Sequence, residues 1–478
     1  MPETRATGLT RRQCLLAAAL PLSLPLPAMA QEGGVRVLRA APLSHPLRGS
    51  AHPAITAWGY EGSVPGPLLR YRQGERLRLR FENALPQDST IHWHGLRVPH
   101  AMDGVPHLTQ PPVRPGESFL YEFELPDAGT YWYHSHLRSS EQVERGLHGL
   151  LVVDEREPPR VDRDIAWALD DWRLSPTGQL SDSFGSPHDI SHAGRIGNAI
   201  SVNGAAPADL ALRRGERIRL RLVNVANARI FSLGFDGHAP QVIALDGHPV
   251  TPHAPPRGRV VLAPGNRCDL LLDATGRPGE RHAVFDDFYP RQAFDLLQLV
   301  YGPAALRDAP MAAAVALAPN PLAEPQLQGA VRHTLRFEGG MMSGMHRALL
   351  DGQAVPMMQL LRQGKAWAIN GVVSAGHGAA HAHDAPLLTL RRGQSCVLTL
   401  HNDTRWFHPI HLHGHAFRVL ARSDRPTPWR EWRDTVLLAP DERADIGFVA
   451  DNPGDWMLHC HVLEHQDGGM MGVVRVIA

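Results

Sequence analysis

Paired histidines are the feature of this sequence with the clearest chemical meaning. Four His-x-His pairs stand out in two distant parts of the chain: His92-Trp93-His94, His134-Ser135-His136, His411-Leu412-His413 and His459-Cys460-His461. In an extended strand, residues i and i+2 project from the same face, so each pair offers two imidazoles in one direction. Eight imidazoles exceed what one zinc ion needs. The pattern therefore predicts a site for several metal ions where the N-terminal and C-terminal parts of the chain meet.

The residue inside the last pair predicts a second, separate metal site. Alternation along a strand directs the Cys460 side chain away from His459 and His461. The cysteine would then join two histidines and a methionine close to these motifs in sequence, namely His408, His465 and Met470. Two histidines, one cysteine and a weak axial methionine are the ligands of a blue-copper electron-transfer site. Because Cys460 lies between two histidines of the first site, a short covalent path joins the two sites.

These motifs resemble those of the three-domain bacterial multicopper oxidases of the laccase and copper-efflux oxidase type. The resemblance covers essentially the whole mature chain and rests on His-Trp-His-Gly at 92–95, Tyr-His-Ser-His at 133–136, His-Pro-Ile-His-Leu-His-Gly at 408–414 and the segment 459–470. It implies four copper ions, one of type 1 and three in a cluster between domains one and three. It assigns His408, Cys460, His465 and Met470 to type 1 copper, His92 and His411 to type 2 copper, His94, His134 and His461 to one type 3 copper, and His136, His413 and His459 to the other.

The resemblance also implies a reaction and the residues that serve it. The expected reaction couples one-electron oxidation of a phenolic or metal-ion substrate to the four-electron reduction of O2 to water, with Cys460 carrying the electrons. A carboxylate near the cluster helps to deliver protons, and Asp103 matches one such position. At the second position, directly after the last type 1 histidine, this chain has Gln466, which cannot exchange a proton. Either Asp467 or Glu464 substitutes for it, or O2 reduction is slower than in relatives.

The reductant stays open at this stage. Met341, Met342 and Met345 would form a Cu(I) site, because thioethers suit that ion, but methionines also fill flexible cores and loops. Trp406 would stack a phenol or pack in the core. Three histidines in a Gly/Ala-rich stretch would capture copper or lie idle in a solvated loop: His377, His381 and His383.

Three functions are therefore compared. The first is a laccase-like oxidase, and the second is a cuprous oxidase that serves copper tolerance. The third is a non-catalytic scaffold of the same fold, which the complete set of expected ligands disfavours.

The elements that carry these motifs are predicted to be strands. The chain has 44 glycines and 41 prolines among 478 residues, which favours short strands joined by turns. A repeat occurs at 72–83, 213–224 and 391–402, each copy having a glycine nine residues before an asparagine. The glycine suits a turn, and the alternating residues after it predict a half-buried strand. Together with the resemblance, the repeat predicts an all-β fold of three tandem cupredoxin-like Greek-key β-sandwiches. The expected division is a signal peptide at 1–30 and domains at 31–156, 157–315 and 316–478.

Composition and the N-terminus bear on location and partners. The 48 basic and 48 acidic residues balance, without the basic excess of a nucleic-acid binder. A twin-arginine pattern at 10–16, an apolar stretch at 15–26 and a small-x-small site at 28–30 predict export to the periplasm. No later apolar run reaches the ~18 residues of a membrane span. We expect a monomer in which Cys268 and Cys396 are buried thiols in different domains.

Overall fold

The computed structural model describes residues 31–32, 34–308, 311–312, 316–376, 385–427 and 429–478. These residues form mostly strands, arranged as three successive two-sheet sandwiches, so the all-β prediction is confirmed. The predicted signal peptide and the histidines at 377, 381 and 383 lie outside the described residues. No helix in the described ranges is long and apolar enough to cross a membrane.

The first sandwich is formed between residues 31 and 154. Its elements are β1 (Gln31–Glu32), β2 (Val35–His45), β3 (Ile55–Tyr60), β4 (Gly66–Arg72), β5 (Arg76–Asn83), β6 (His92–His94), β7 (Ser118–Glu124), β8 (Gly129–His134), α1 (Ser139–Gln142) and β9 (His148–Asp154). One sheet has the order β1-β2-β5-β7 with β3 paired to β2, and the other has the order β4-β9-β8-β6. The short strand β6 therefore lies at a sheet edge.

The second sandwich is formed between residues 163 and 301. Its elements are β10 (Arg163–Trp172), α2 (Pro187–Ser191), β11 (Ala199–Val202), β12 (Leu210–Leu212), β13 (Arg217–Asn224), β14 (Phe231–Phe235), β15 (Gln241–Leu245), β16 (His248–His253), β17 (Val260–Leu262), β18 (Arg267–Asp273), β19 (Arg281–Asp286) and β20 (Phe294–Tyr301). The sheets have the orders β11-β10-β13-β18-β15-β16 and β12-β20-β19-β14-β17.

The third sandwich is formed between residues 331 and 477. Its elements are β21 (Val331–Gly339), β22 (Arg347–Leu350), β23 (Gln353–Pro356), α3 (Met357–Arg362), β24 (Trp367–Ile369), β25 (Leu388–Arg391), β26 (Ser395–Asn402), β27 (His408–Leu412), β28 (Phe417–Arg422), β29 (Arg425–Pro426), β30 (Trp432–Arg433), β31 (Thr435–Leu438), β32 (Arg443–Val449), β33 (Gly454–Cys460), α4 (Leu463–Asp467) and β34 (Met471–Ile477). The main sheets have the orders β24-β21-β26-β32-β28-β29 and β25-β34-β33-β27-β31, and β22 pairs with β23. The domain boundaries at 156/157 and 315/316 stay predictions.

The sequence repeat occupies the same place in each sandwich. Its strands β5, β13 and β26 each pair in parallel with the first long strand of their sheet and antiparallel with a later one. The repeat glycine has φ near +80 to +90° in all three copies, a conformation that favours glycine. The repeat asparagine is buried, and its Oδ1 accepts the amide of residue i+2 while its Nδ2 donates to nearby carbonyls. The asparagine thus fixes the turn that follows each strand.

The expectation of half-buried repeat strands holds for β5 but is wrong for β13. In β5, leucine and phenylalanine face the core while arginines face solvent. In β13 every residue is buried, because its arginine face packs against the first sandwich. Arg219 forms ion pairs with Glu155 and Asp269, and Arg221 donates to Thr130. Buried arginines are tolerated here because each one has carboxylate partners.

Cys268 and Cys396 are buried free thiols, as expected. Each lies inside the apolar core of its own sandwich, on β18 and β26 respectively.

Candidate metal centre

Two pairs of neighbouring strands carry the paired histidines. In the first sandwich β6 lies antiparallel to β8, with His92 opposite His134. In the third sandwich β27 lies antiparallel to β33, with His411 opposite His459. Cross-strand partners project from the same face of a sheet, so each strand pair presents a patch of imidazoles.

The two patches face each other between the first and third sandwiches. The ring of His94 stacks on that of His411 with centroids 3.8 Å apart, and His92 stacks on His413 at 4.0 Å. Three groups have their ligating atoms within 4.8 Å of one another, and all of their members are buried: His92, His94 and His411; His94, His134 and His461; and His136, His413 and His459. The eight predicted histidines therefore converge, and each of the pairs 134/136 and 459/461 is divided between two groups.

Main-chain carbonyl groups determine which ring nitrogen faces the centre. Four histidines place Nδ1 within 2.8–2.9 Å of a carbonyl oxygen: His92 on Asp103, His134 on Ser135, His411 on Asp434 and His459 on Cys460. A neutral imidazole has one donor and one acceptor nitrogen, so donation from Nδ1 leaves a lone pair on Nε2. This arrangement is the usual orientation of histidine ligands in metal sites.

The unpaired nitrogens fit a group of metal cations. The Nε2 atoms of His92, His134 and His411 are buried and have no hydrogen-bond partner among the described residues. The Nε2 atoms of His413 and His459 lie 3.1 Å apart although both rings donate through Nδ1, so two lone pairs face each other. Such lone pairs repel unless a cation lies between them. Burial also lowers the pKa of both imidazoles well below the usual range, which keeps them neutral and able to bind.

Asp103, which the resemblance implied near the cluster, lies at this centre. Its Oδ2 atom is 2.8 Å from Nδ1 of His413, its Oδ1 atom is 3.3 Å from Nδ1 of His92, and its side chain is buried. One carboxylate thus contacts a histidine from the first sandwich and a histidine from the third.

The second predicted site forms a compact triangle inside the third sandwich. The Cys460 sulfur lies 3.4 Å from Nδ1 of His408 and 3.5 Å from Nδ1 of His465, and the two nitrogens are 3.1 Å apart. Both rings donate through Nε2, to the Thr404 hydroxyl at 2.9 Å and to the His192 carbonyl at 2.7 Å. Two imidazole lone pairs and a thiol therefore converge, which fits a soft trigonal metal site.

Met470 lies next to this triangle along the chain. It is buried, its carbonyl accepts the Cys460 amide at 3.1 Å, and its amide donates to the His465 carbonyl at 2.9 Å. The methionine backbone is thereby tied to both neighbours.

Comparison with known proteins identifies the family. Three family models described as multicopper oxidase match residues 47–158, 164–307 and 353–478. A multi-copper oxidase from Pseudomonas thermotolerans, known from its crystal structure, is 35% identical over 94% of this chain and 100% of its own, with a TM-score of 0.81. The chain belongs to the multicopper oxidase family.

Other relatives have different names within this family. The multicopper oxidase MmcO of Mycobacterium tuberculosis is 29% identical and aligns over 87% of this chain and 82% of its own length. Copper resistance protein A of Escherichia coli is 26% identical over 95% and 94%. A laccase-like multicopper oxidase from Ochrobactrum, described as active towards lignin model compounds, has a TM-score of 0.76 at 26% identity, with 95% and 100% coverage. The protein is a copper-dependent oxidoreductase with O2 as acceptor, and the expected cupredoxin-like fold is confirmed.

The first sandwich of this multicopper oxidase keeps the framework of the cysteine site without its donor atoms. Ser135 donates its amide to the Leu147 carbonyl at 3.1 Å, as Cys460 does to Met470. Its hydroxyl lies 2.5 Å from Oε1 of Gln142, which also accepts from Ser89 at 2.8 Å. Ser89 precedes His92 by three residues, as His408 precedes His411. Hydroxyl and amide groups thus fill the positions of the soft ligands.

The candidate proton-relay positions differ in their surroundings. Gln466 is fully buried, and neither atom of its amide has a hydrogen-bond partner among the described residues. Glu464 is enclosed, accepting from Asn227 at 2.9 Å and from the Arg195 amide at 3.0 Å. Asp467 accepts from the Ser140 hydroxyl at 2.5 Å and lines a surface cavity of about 370 Å³.

The methionines named as a Cu(I) site divide into two kinds. Met341 and Met342 are 39% and 67% exposed, whereas Met345 packs against a small apolar cluster. The Met341 amide donates to the Ser191 carbonyl at 2.8 Å, and its carbonyl accepts from the Trp406 indole at 3.1 Å. Met341 therefore lies beside Ser191. The next residue, His192, contacts His465 of the cysteine site through its main-chain carbonyl.

Sequence reasoning missed an ion pair beside the histidine cluster. Arg267 on β18 and Asp434, directly before β31, are both fully buried, and Asp434 contacts His94 and His411. Burial raises the pKa of Asp434, but Arg267 and the two histidines outweigh it and hold that pKa well below its usual range. A charged residue directly before the strand-forming segment 435–438 was the available signal.

Proposed function

We propose that this multicopper oxidase is laccase-like and couples one-electron oxidation of phenols or low-valent metal ions to reduction of O2 to water. The observation that carries the proposal is the convergence of eight buried imidazoles beside a separate triangle of two histidines and a cysteine. One peptide, His459-Cys460-His461, contributes to both groups.

We assign the ligands of four copper ions by group. Type 1 copper would be held by His408, Cys460, His465 and Met470; type 2 copper by His92 and His411; and the two type 3 coppers by His94, His134 and His461 and by His136, His413 and His459. Bound copper would supply one-electron redox chemistry, with single-electron uptake at the cysteine site and four-electron reduction of O2 at the three-ion site.

The chain itself supplies connection, orientation and a sealed environment. Cys460 links the two sites through its main chain, because both flanking residues belong to the cluster. Asp103 orients His92 and His413, and it is the carboxylate best placed to hold a proton beside the cluster. All eight imidazoles are buried, so bulk water does not compete for their lone pairs.

Replacement of Cys460 by serine tests the assignment. The thiolate supplies the charge-transfer absorption of a blue-copper site, so Cys460→Ser should abolish the intense visible band and remove about one copper per chain. Cys396→Ser is the matched control, since Cys396 is a buried thiol of the same sandwich outside the triangle. A visible band that survives in Cys460→Ser would refute the assignment.

A second candidate function, oxidation of Cu(I), is favoured by the exposed methionines near the cysteine site. Met341 and Met342 offer thioethers next to His192, and the ring of His188 stacks on that of His192 with centroids 4.2 Å apart. Thioethers and imidazoles suit cuprous ion. A cuprous ion bound there would release its electron close to His465, which donates to the His192 carbonyl.

Turnover with two reductants separates the candidates. If Cu(I) is the substrate, the double variant Met341→Leu/Met342→Leu should lower kcat/KM for Cu(I) about tenfold and leave turnover of a methoxyphenol unchanged. Met102→Leu in the first sandwich controls for the loss of a thioether. Equal turnover of Cu(I) by the double variant and the wild type would exclude the cuprous site.

We also propose that the chain is exported to the periplasm through its twin-arginine motif and acts there as a monomer. The proposal is supported by residues 10–16 and by the similarity to copper resistance protein A. Replacing Arg11 and Arg12 by lysine should retain the precursor in the cytoplasm. Recovery of mature protein starting at Gln31 from that variant would contradict this route.

A further inference from the structure

The second sandwich supplies no side chain to the predicted copper sites, yet it reaches the cluster through a buried arginine. Arg267 opens β18, and its two terminal nitrogens bind the two carboxylate oxygens of Asp434 at 2.8 and 2.5 Å. Both side chains are fully buried. A bidentate pair of this kind fixes the plane of the carboxylate as well as its position.

The carboxylate held in this way contacts histidines from both other sandwiches. Its Oδ1 atom lies 3.2 Å from Nε2 of His94 and 3.5 Å from Nδ1 of His411. The Asp434 carbonyl accepts from the same His411 nitrogen at 2.9 Å, and the Thr435 hydroxyl lies 3.0–3.1 Å from both rings. Asp434 therefore sets the rotation of two rings that stack on each other.

The arginine has little freedom to move. Its Nε donates to the Thr130 carbonyl of the first sandwich at 3.1 Å, and its terminal nitrogens donate to the carbonyls of Gly265 and Asp246 at 3.1 and 2.9 Å. A Cβ atom on Gly95, directly after His94, would lie 2.2 Å from an arginine nitrogen. The chain therefore has a glycine where the guanidinium passes the ligand strand.

We propose that Arg267 and Asp434 are positioning residues through which the second sandwich sets the orientation of His94 and His411, and hence the binding of type 2 copper at His411 and of a type 3 copper at His94. The inference rests on the proposed function, because it presupposes copper in the cluster. Partners that hydrogen-bond to ligating histidines typically change metal affinity by about 10- to 100-fold.

The test compares copper-loaded variants with wild type. Arg267→Gln and Asp434→Asn should lower the affinity for type 2 copper about 10- to 100-fold and change its electron paramagnetic resonance signal. The visible band of type 1 copper should keep its wavelength and intensity, since neither residue contacts that triangle. Arg267→Lys, which keeps the charge without the bidentate geometry, should give an intermediate affinity.

Arg219→Gln is the matched control. Arg219 is equally buried and is paired with Glu155 and Asp269, but it contacts none of the assigned ligands. Arg219→Gln should lower stability without changing the type 2 signal. A changed signal in Arg267→Gln would then reflect the orientation of the histidines and not the general loss of a buried ion pair. Should Arg267→Gln fail to fold, Asp434→Asn carries the test, because asparagine keeps the shape and one acceptor oxygen.

Two failures are distinguishable. Wild-type protein that binds type 1 copper but no cluster copper would overturn the proposed function, and the inference with it. Wild-type protein with a full cluster, together with variants whose type 2 signal and affinity match those of Arg219→Gln, would overturn the inference alone.

Discussion

One hydroxyl connects the sequence repeat to the cysteine site. The repeat asparagine of the third sandwich, Asn402, accepts the Thr404 hydroxyl at 2.7 Å, so that hydroxyl is left to accept from Nε2 of His408 at 2.9 Å. At the same position the first and second sandwiches have Leu85 and Ala226, which cannot extend the chain of hydrogen bonds. A turn that stabilises all three sandwiches thus orients a ligand in only one of them.

Thr404→Val should therefore affect both stability and the metal site. The substitution keeps the side-chain shape but leaves a buried N–H of His408 unpaired, which costs about 1–3 kcal/mol. We expect that loss in urea unfolding of the copper-free protein, together with a weaker or shifted visible band after loading. Thr399→Val is the control, because Thr399 loses a bond to Asp445 in the same sandwich without touching a ligand. An unchanged band in Thr404→Val would show that the hydroxyl does not orient the ring.

At the scale of elements, the sequence predicted the strands that contain the paired histidines and Cys460, but it did not predict the contacts between sandwiches. Alternation is a local property of a strand, so the sequence correctly separated Cys460 from His459 and His461. The meeting of Arg267 with Asp434, 167 residues later, depends on how two sandwiches dock, and no local pattern encodes it. Docking of the sandwiches also buries the arginine side chains of β13, which the alternation of residues predicted to face solvent.

The turn between β17 and β18 offers a prediction about such docking. Gly265 has φ +84°, and a Cβ there would lie 3.0 Å from the rings of both His94 and His461. Gly265→Ala should displace these rings and lower the copper content of the cluster, measured as copper per chain. Gly74→Ala is the control, since Gly74 has φ +91° and nothing within 4 Å of an added Cβ. Equal copper contents in the two variants would show that the turn does not shape the cluster.

At the scale of the whole molecule, carboxylates buried between sandwiches link protonation to stability. Glu144 of the first sandwich lies 3.0 Å from the Arg195 guanidinium and accepts the Arg173 amide at 3.0 Å, both from the second. The Arg195 amide in turn donates to Glu464 of the third. One arginine residue therefore joins carboxylates from both neighbouring sandwiches, away from solvent.

This junction contributes stability that is lost as pH rises from 4.5 to 7. Burial raises the pKa of Glu144 to about 7, against the opposing charge of Arg195, from an ordinary value of 4.5. Between these values Glu144 binds more protons in the folded chain than in the unfolded chain, so its contribution to the free energy of unfolding decreases by about 3 kcal/mol from pH 4.5 to 7. Glu144→Gln removes this contribution, so between pH 4.5 and 7 the slope of stability against pH should be more positive in the variant than in the wild type. Burial raises the pKa of neighbouring carboxylates in the same direction: Asp170, Asp171 and Glu464. Buried histidines, whose pKa is lowered, act in the opposite direction, among them His148, His248 and His465, so the difference in slope between the two proteins is what reports on Glu144.

The measurement is the urea midpoint at several pH values between 4.5 and 7, using copper-free protein so that metal release adds no slope of its own. Glu122→Gln serves as control: Glu122 is a surface carboxylate whose pKa the Arg76 hydrogen bond lowers, so it titrates below this range. The stability of Glu144→Gln at any single pH does not test the prediction, because the substitution also weakens the ion pair with Arg195. The test is the slope of stability against pH. A Glu144→Gln protein with the slope of the wild type would mean that Glu144 stays ionised in the folded chain, with Arg195 offsetting the cost of its burial.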